Sequence, residues 1–163
     1  MVLGGDTATF CGYSDADWAS NLDHRSISGF VFFVGSGAVS SKKQPIVTLS
    51  STESEYVALT HATKDVLWIQ KLLHEISPIG LEHPISPSTM FCDNQGAIRL
   101  SKDSTFHART KHIDVHFHFI RQTVSQNKIQ LEYLPTSDMI GDTFTKSLSF
   151  HKFSYFRGLL GLR

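Results

Sequence analysis

No run of about 20 apolar residues, the length a bilayer-spanning helix needs, occurs in this 163-residue chain. No bilayer-spanning helix is therefore expected within it. The N-terminal stretch MVLGGDTATF has no basic region leading into an apolar one, so it does not read as a secretory signal, and an intracellular protein is expected. Cysteine is scarce. Only Cys11 and Cys92 are present, both in apolar segments, and they are read as buried free thiols of a reducing compartment rather than as a disulfide. An excess of charge of one sign is also missing: Lys+Arg and Asp+Glu both number 15, for a formal net charge of zero. Phosphate neutralisation supplies most of the affinity of a nucleic-acid binder, so neutrality argues against a tight stand-alone one. It leaves room for a local basic track, or for a domain tethered to a larger binder. Low-complexity segments and internal repeats are absent. With 40% hydrophobic and 18% charged residues, the chain is an ordinary folded domain, long enough to bury its own core.

What is present is a change of hydrophobic period along the chain. TFCGYSDADW (9–18) and ISGFVFFVG (27–35) read as strands, and the Gly-containing turn and strand in GSGAVSSKKQPIVTLSS complete an antiparallel meander. From Thr52 to Ile76, Ala58, Ala62, Val66, Ile69, Leu73 and Ile76 recur at spacings of three and four, one face of a helix. Two S/T-x-x-E patterns, Ser50–Glu53 and Thr52–Glu55, fit its start. A loop rich in proline follows (77–87), then a short strand over 88–92, a helix capped by Asn94 and reaching about Lys102, a helix from about Thr110 to Gln126, a strand over 128–134, and a final helical region. The order reads β-β-β-α-β-α-β-α, an α/β fold with a mixed sheet and helices on its faces.

Four acidic residues stand in distinctive settings: Asp15 in GYSDADWA, Glu55 in SSTESEYVAL, Asp93 in MFCDNQGAI and Asp142 in DMIGDTFTK. Carboxylates gathered in one place repel each other unless cations sit between them. Hard oxygen ligands suit Mg²⁺, and a paired Mg²⁺ site suits phosphodiester hydrolysis. Helical geometry favours Glu55, one turn before Ala58 and Leu59, over Glu53, which lies about 200° around and is expected to face water. Parity does not separate Asp15 from Asp17, and spacing does not separate Asp142 from Asp138. Asp93 ends a strand and opens a helix, where strands deliver ligand-binding groups. His112 and His116 have an i,i+4 spacing that helical zinc ligands can share, but no H-E-x-x-H pattern and no nearby Cys completes such a site. Lys102, Arg109, Lys111, His112 and Arg121 concentrate positive charge suited to duplex phosphates.

The ordered blocks YSDADWA, RSISGFVFFVG, SSKKQ, LSSTESEYVAL, CDNQGAI, HARTKHIDVHFHFIR and DTFTKSL resemble the ribonuclease H domain of copia-type retrotransposon polyproteins, from about Asp6 to Arg163. The resemblance implies a ribonuclease H-like fold with a five-stranded mixed sheet in the order 3-2-1-4-5. It divides the chain into a tail (1–8), a domain (9–148) and an amphipathic segment packed on it (149–163). It selects Asp15, Glu55, Asp93 and Asp142 as catalytic metal ligands for two Mg²⁺ ions, with Mn²⁺ as an alternative. Asp15 would bridge both ions, Glu55 and Asp93 would complete one site and Asp142 the other. The implied reaction is hydrolysis of the RNA strand of an RNA–DNA hybrid, next to a reverse transcriptase domain of the same polyprotein. Substrate contacts are expected from Lys42, Lys43, Asn94, Gln95, Arg109, Lys111 and His112. This sequence departs from the family pattern in three places. AVSSKKQ is two residues short and lacks a Trp, Gly141 replaces an Ala and is expected to loosen Asp142, and LPTSD lacks the histidine that cellular ribonucleases H often carry. The competing readings are a non-catalytic remnant acting as a binding or packing module, and a nuclease of the same superfamily acting on DNA.

Overall fold

A computed structural model describes residues 10–18, 26–34, 37–44, 47–76, 87–102 and 114–162; for 34, 37–43 and 114 it describes the backbone alone. The elements are β1 (Phe10–Asp17), β2 (Ile27–Val34), β3 (Gly37–Lys43), α1 (Ser51–Ile76), β4 (Ser88–Cys92), α2 (Gln95–Lys102), α3 (Asp114–Ser125), β5 (Ile129–Tyr133), a 3-10 helix (Ile140–Phe144) and α4 (Phe150–Leu159). Among the described residues two helices separate β4 from β5, as the periodicity predicts, so the order β-β-β-α-β-α-β-α is one helix short. The tail over 1–8 lies outside the described residues.

The sheet has five strands in the order β3-β2-β1-β4-β5. The first three form the antiparallel meander, while β4 runs parallel to both β1 and β5. Parallel pairing needs a crossover, and α1 supplies the one between the meander and β4. Between Gly29 and Phe32 the β2–β3 register shifts, so the hairpin carries a bulge.

Alternation along β1 and β2 divides two cores. Phe10, Phe30, Phe32 and Met90 face α1, α2 and α3, where they meet Tyr56, Leu59, Ala62, Val66, Ala97, Phe117 and Ile120. Val31 points the other way and packs with Ile140, Phe156 and Leu160, so the 3-10 helix and α4 cover the second face. The sheet is thus clothed on both sides, and the ends of β1 and β4 open between the two layers.

The start of α1 is set by Ser50, whose Oγ accepts a hydrogen bond from the Glu53 amide at 3.2 Å, while Glu53 Oε2 accepts from the Leu49 amide at 2.7 Å. Of the two capping patterns in the sequence, this is the one that forms. It also corrects the placement of Glu53, which is buried at 6% exposure and does not face water. The segment before α1 wraps its first turn: Gln44 Nε2 donates to Ser28 Oγ and to the Ser54 carbonyl, and Ser26 Oγ lies 3.0 Å from Thr48 Oγ1. At the far end the apolar face lifts off the body. Ala58, Ala62 and Val66 are fully buried, but Ile76 is 62% exposed. Both cysteines are free, with Cys92 buried and Cys11 half-buried. No helix among the described residues is long and apolar enough to cross a membrane.

Candidate metal centre

Four elements converge on one acidic cluster. Asp15 comes from β1, Glu55 from the second turn of α1, Asp93 from the residue after β4, and Asp142 from the 3-10 helix. Ligand atoms of Asp15, Asp93 and Asp142 lie within 4.8 Å of one another, and so do those of Glu55, Cys92 and Asp93. Asp93 thus belongs to both groups. Exposure separates the pairs that spacing left open. Asp15 is fully buried, whereas Asp17, two residues on, is only half-buried. Asp142 is 1% exposed, whereas Asp138 lies in an exposed turn before the extended Met139 and shares no helix with it.

Each carboxylate has distinct partners. Asp15 Oδ2 accepts from Thr145 Oγ1, and Asp15 Oδ1 accepts from Lys146 Nζ at 3.0 Å. Lys146 Nζ also donates to Asp142 Oδ1 at 2.9 Å, and Lys152 Nζ donates to Asp142 Oδ2 at 2.7 Å and to the Thr136 carbonyl at 2.9 Å. Asp93 Oδ2 accepts from Thr136 Oγ1 at 2.7 Å. Glu55 accepts a backbone hydrogen bond from Ala16 but leaves Oε2 buried and without a partner. Burial, together with the Asp15 and Asp93 charges, pushes the Glu55 carboxyl well above the ordinary glutamate range. Burial also raises Asp15, outweighing the opposing pull of Thr145 and Lys146. For Lys146 the balance is reversed. Burial pulls the ammonium down, but the Asp15 charge and its bonds to Asp142 and Asp15 hold its pKa above the usual lysine value. Burial, then the Glu55 charge, raises the Cys92 thiol.

The donor set fits divalent cations that prefer oxygen. It offers four carboxylates, a three-carboxylate group of ligand atoms within 4.8 Å, and an orphaned buried oxygen on Glu55; the Cys92 thiol beside Glu55 and Asp93 is held protonated by burial. The packing that brings Asp142 over Asp15 depends on two glycines. Gly29 pairs with Asp15 across the strands, and a Cβ there would stand 2.8 Å from the Gly141 carbonyl. A Cβ on Gly141 would stand 3.0 Å from Asp15 Cβ. Gly141 is therefore a close-approach residue in a 3-10 helix, and the expected loosening of Asp142 gives way to tight packing against β1.

The remaining predicted residues are not all near this cluster in the same sense. Asn94 Oδ1 accepts from the Ala97 amide at 2.9 Å, which caps α2, and Gln95 is exposed at the first position of that helix. Lys42 and Lys43 lie on β3, paired with Ser28 and Ile27. Arg109, Lys111 and His112 lie outside the described residues. Sequence reasoning missed Thr145, Lys146, Lys152 and Thr136. The i,i+4 spacing of Asp142 and Lys146 was a usable signal; nothing in the sequence pointed to Lys152.

No family model matches the chain. Among curated proteins, it is 38% identical over 165 residues to the retrovirus-related Pol polyprotein from transposon TNT 1-94 of Nicotiana tabacum, covering 99% of this chain and 12% of the relative. It is 38% identical over 161 residues to the Pol polyprotein from transposon RE2 of Arabidopsis thaliana, covering 97% of this chain and 11% of the relative. Over nearly its whole length the chain is homologous to one segment of the retrovirus-related Pol polyproteins of transposons. It spans about an eighth of the length of those it matches. Its fold is ribonuclease H-like. The N-terminal RNase H domain of rv2228c from Mycobacterium tuberculosis superposes with a TM-score of 0.59 at 13% identity, covering 93% of this chain and 98% of that one. LC11-RNase H1, solved in complex with an RNA/DNA hybrid, gives 0.55 at 13% identity over 80% of this chain and 88% of that one. The prototype foamy virus protease–reverse transcriptase gives 0.52 at 13% identity over 94% of this chain but 20% of that one.

Proposed function

We propose that this chain hydrolyses the RNA strand of RNA–DNA hybrids, with Asp15, Glu55, Asp93 and Asp142 holding two Mg²⁺ ions, or Mn²⁺ in their place. The observation that carries the reading is the convergence of these four carboxylates, from four elements: ligand atoms of Asp15, Asp93 and Asp142 lie within 4.8 Å of one another, and Glu55 joins Asp93 in a second such group beside the Cys92 thiol. Asp15 would serve both ions, with Glu55 and Asp93 completing one site and Asp142 the other; Asp93, whose ligand atoms fall in both groups, stands between the two sites. When bound, such ions lower the pKa of an attacking water and stabilise the departing oxygen of a phosphodiester. The protein supplies positioning: Thr145 and Lys146 fix the two oxygens of Asp15, Thr136 fixes one oxygen of Asp93, and the buried setting keeps these charges weakly screened. Substrate contacts are assigned to Asn94 and Gln95 at the α2 start, to Lys42 and Lys43 on β3, and to Arg109, Lys111 and His112. A zero net charge suits a domain that works beside the reverse transcriptase part of a larger polyprotein and draws substrate affinity from it.

The test is a labelled RNA annealed to DNA, incubated with the purified chain and Mg²⁺ or EDTA, beside single-stranded RNA and duplex DNA. Cleavage is expected of the hybrid alone and only with the metal. Asp93→Asn should lower the rate by at least about 100-fold, since even outer partners of a metal ligand cost 10–100-fold. Its melting temperature in EDTA should not fall, because one of several repelling charges is gone. Cleavage that persists in EDTA, or in Asp93→Asn, would falsify the metal-dependent reading. Hybrid binding without cleavage in any metal would favour the non-catalytic module.

A further inference from the structure

Lys146 bridges two carboxylates that the sequence places 127 residues apart, from β1 and from the 3-10 helix. Its ammonium lies 3.0 Å from Asp15 Oδ1 and 2.9 Å from Asp142 Oδ1, between side chains that are 0% and 2% exposed. Lys152 does not bridge in this way, since it joins Asp142 to a backbone carbonyl and rests over the Phe156 ring. From this geometry we infer that Lys146 is a built-in counter-ion of the Asp15–Asp142 pair, and that a divalent cation binds there only by displacing its ammonium.

Three observations support the exchange. Asp15 Oδ2 and Asp142 Oδ2 are engaged by Thr145 and Lys152, so the two Oδ1 atoms are the ones left to face a cation, and the Lys146 ammonium already occupies the position between them, where it would repel a metal ion. Without any cation, two buried like charges this close would push the 3-10 helix off β1, so the ammonium keeps the site assembled before metal arrives. Finally, the Lys146 side chain is 33% exposed and hangs on a flexible four-carbon stem, so it has an outward path that leaves the backbone unchanged. Metal and ammonium are then mutually exclusive ligands of one carboxylate pair, and each weakens the other by the same factor. The inference rests on the metal-binding reading above, and goes beyond it by giving the apparent metal affinity a competitor inside the chain.

The experiment uses the whole chain and two readouts. Mn²⁺ binding is followed by the electron paramagnetic resonance of the free ion. Reductive methylation of lysines is mapped by peptide mass spectrometry and normalised to Lys71, which is 78% exposed on α1. In the wild type, saturating Mn²⁺ should speed methylation of Lys146 relative to EDTA. Lys146→Met should bind Mn²⁺ about fivefold or more tightly than wild type, the lower bound of ordinary coupling between sites, and should melt at a lower temperature in EDTA. If Lys146→Met does not fold, the labelling of the wild type still decides. A wild-type chain that binds Mn²⁺ while its Lys146 methylation does not change, or a Lys146→Met chain that binds no more tightly, overturns the inference and leaves the metal-binding reading intact. A wild-type chain that binds no Mn²⁺ sinks both.

Discussion

At Glu55 a carboxylate oxygen is buried at the second turn of α1 with no hydrogen-bond partner, beside the charges of Asp15 and Asp93. An ionised group in that setting costs the metal-free fold, and its raised pKa is the same statement in another form. The folded chain holds the Glu55 proton more tightly than the unfolded chain does. Stability from this group is therefore greatest below the ordinary glutamate value of 4.5 and is lost as pH rises toward the higher folded value. Asp15 acts in the same direction from 3.8 upward, and His116, lowered by burial and by Lys64, acts in the opposite direction below 6.5. Comparing Glu55→Gln with wild type in EDTA reports on Glu55 and the groups coupled to it, since His116 is common to both. The variant should be more stable by about 1 kcal/mol or more at pH 8, and this advantage should shrink as the pH falls to 5. An advantage that grows on acidification would contradict the assignment. Both proteins should be followed by urea denaturation. With metal present the order should reverse, because the variant has lost a ligand. The choice of Glu55 over Glu53 was legible from helix geometry, but the burial of Glu53 was not. That follows from Gln44 and residues 47–50 packing over the helix start, contacts with no local signature.

Between elements, the decisive contact is the 3-10 helix lying on β1 and β2. Gly29 makes it possible, since an added Cβ would meet the Gly141 carbonyl at 2.8 Å and Thr145 Cγ2 at 2.6 Å. A carbonyl in a helix cannot turn aside as a side chain can. Gly29→Ala should therefore cost about 1–3 kcal/mol, the usual range for overpacking. It should also weaken Mn²⁺ binding, because Asp142 and Thr145 must move together. Gly158→Ala is the counterpart. Nothing lies within 4 Å of its added Cβ, so this exposed α4 position should gain up to about 1 kcal/mol and leave metal binding unchanged. Urea denaturation and Mn²⁺ titration of the two variants distinguish a local helix effect from a site effect. The strands and helices were legible from period and turn residues, including the Asn94 cap and the Ser50–Glu53 box. Sheet order came from the resemblance, because parallel pairing across α1 leaves no local mark. The 3-10 geometry around Asp142 was hidden for a related reason: Asp138 and Asp142 have helical spacing in sequence, but the extended Met139 breaks the turn between them.

Over the whole molecule, charge is balanced but unevenly placed. The acidic cluster lies where β1, α1, β4 and the 3-10 helix meet. Elsewhere, between α2 and α3, a cleft of about 650 Å³ is lined by Lys102, His118 and Arg121. A polyanionic hybrid can approach the carboxylates only if their charge is neutralised by bound cations and if basic groups elsewhere carry phosphates. Lys102 is exposed at the end of α2, whose cap, Asn94, follows Asp93 directly, so that helix connects the cleft to the acidic cluster. A domain with no net positive charge has few such contacts to offer, and its hybrid affinity should depend on each of them. The logarithm of the affinity should fall linearly with the logarithm of salt concentration, at about 0.7–0.9 per phosphate engaged. Lys102→Ala should reduce that slope by about one such unit, weaken binding equally for hybrids of any base sequence, and leave Mn²⁺ affinity unchanged. Arg121 also rests over the Phe117 ring at 5.9 Å, so its replacement mixes charge with packing and makes the poorer probe. Fluorescence anisotropy of a labelled hybrid at several salt concentrations measures the slope directly. An unchanged slope in Lys102→Ala would remove the α2–α3 cleft from the substrate path and leave substrate binding to β3, to the α2 start and to the residues around Arg109.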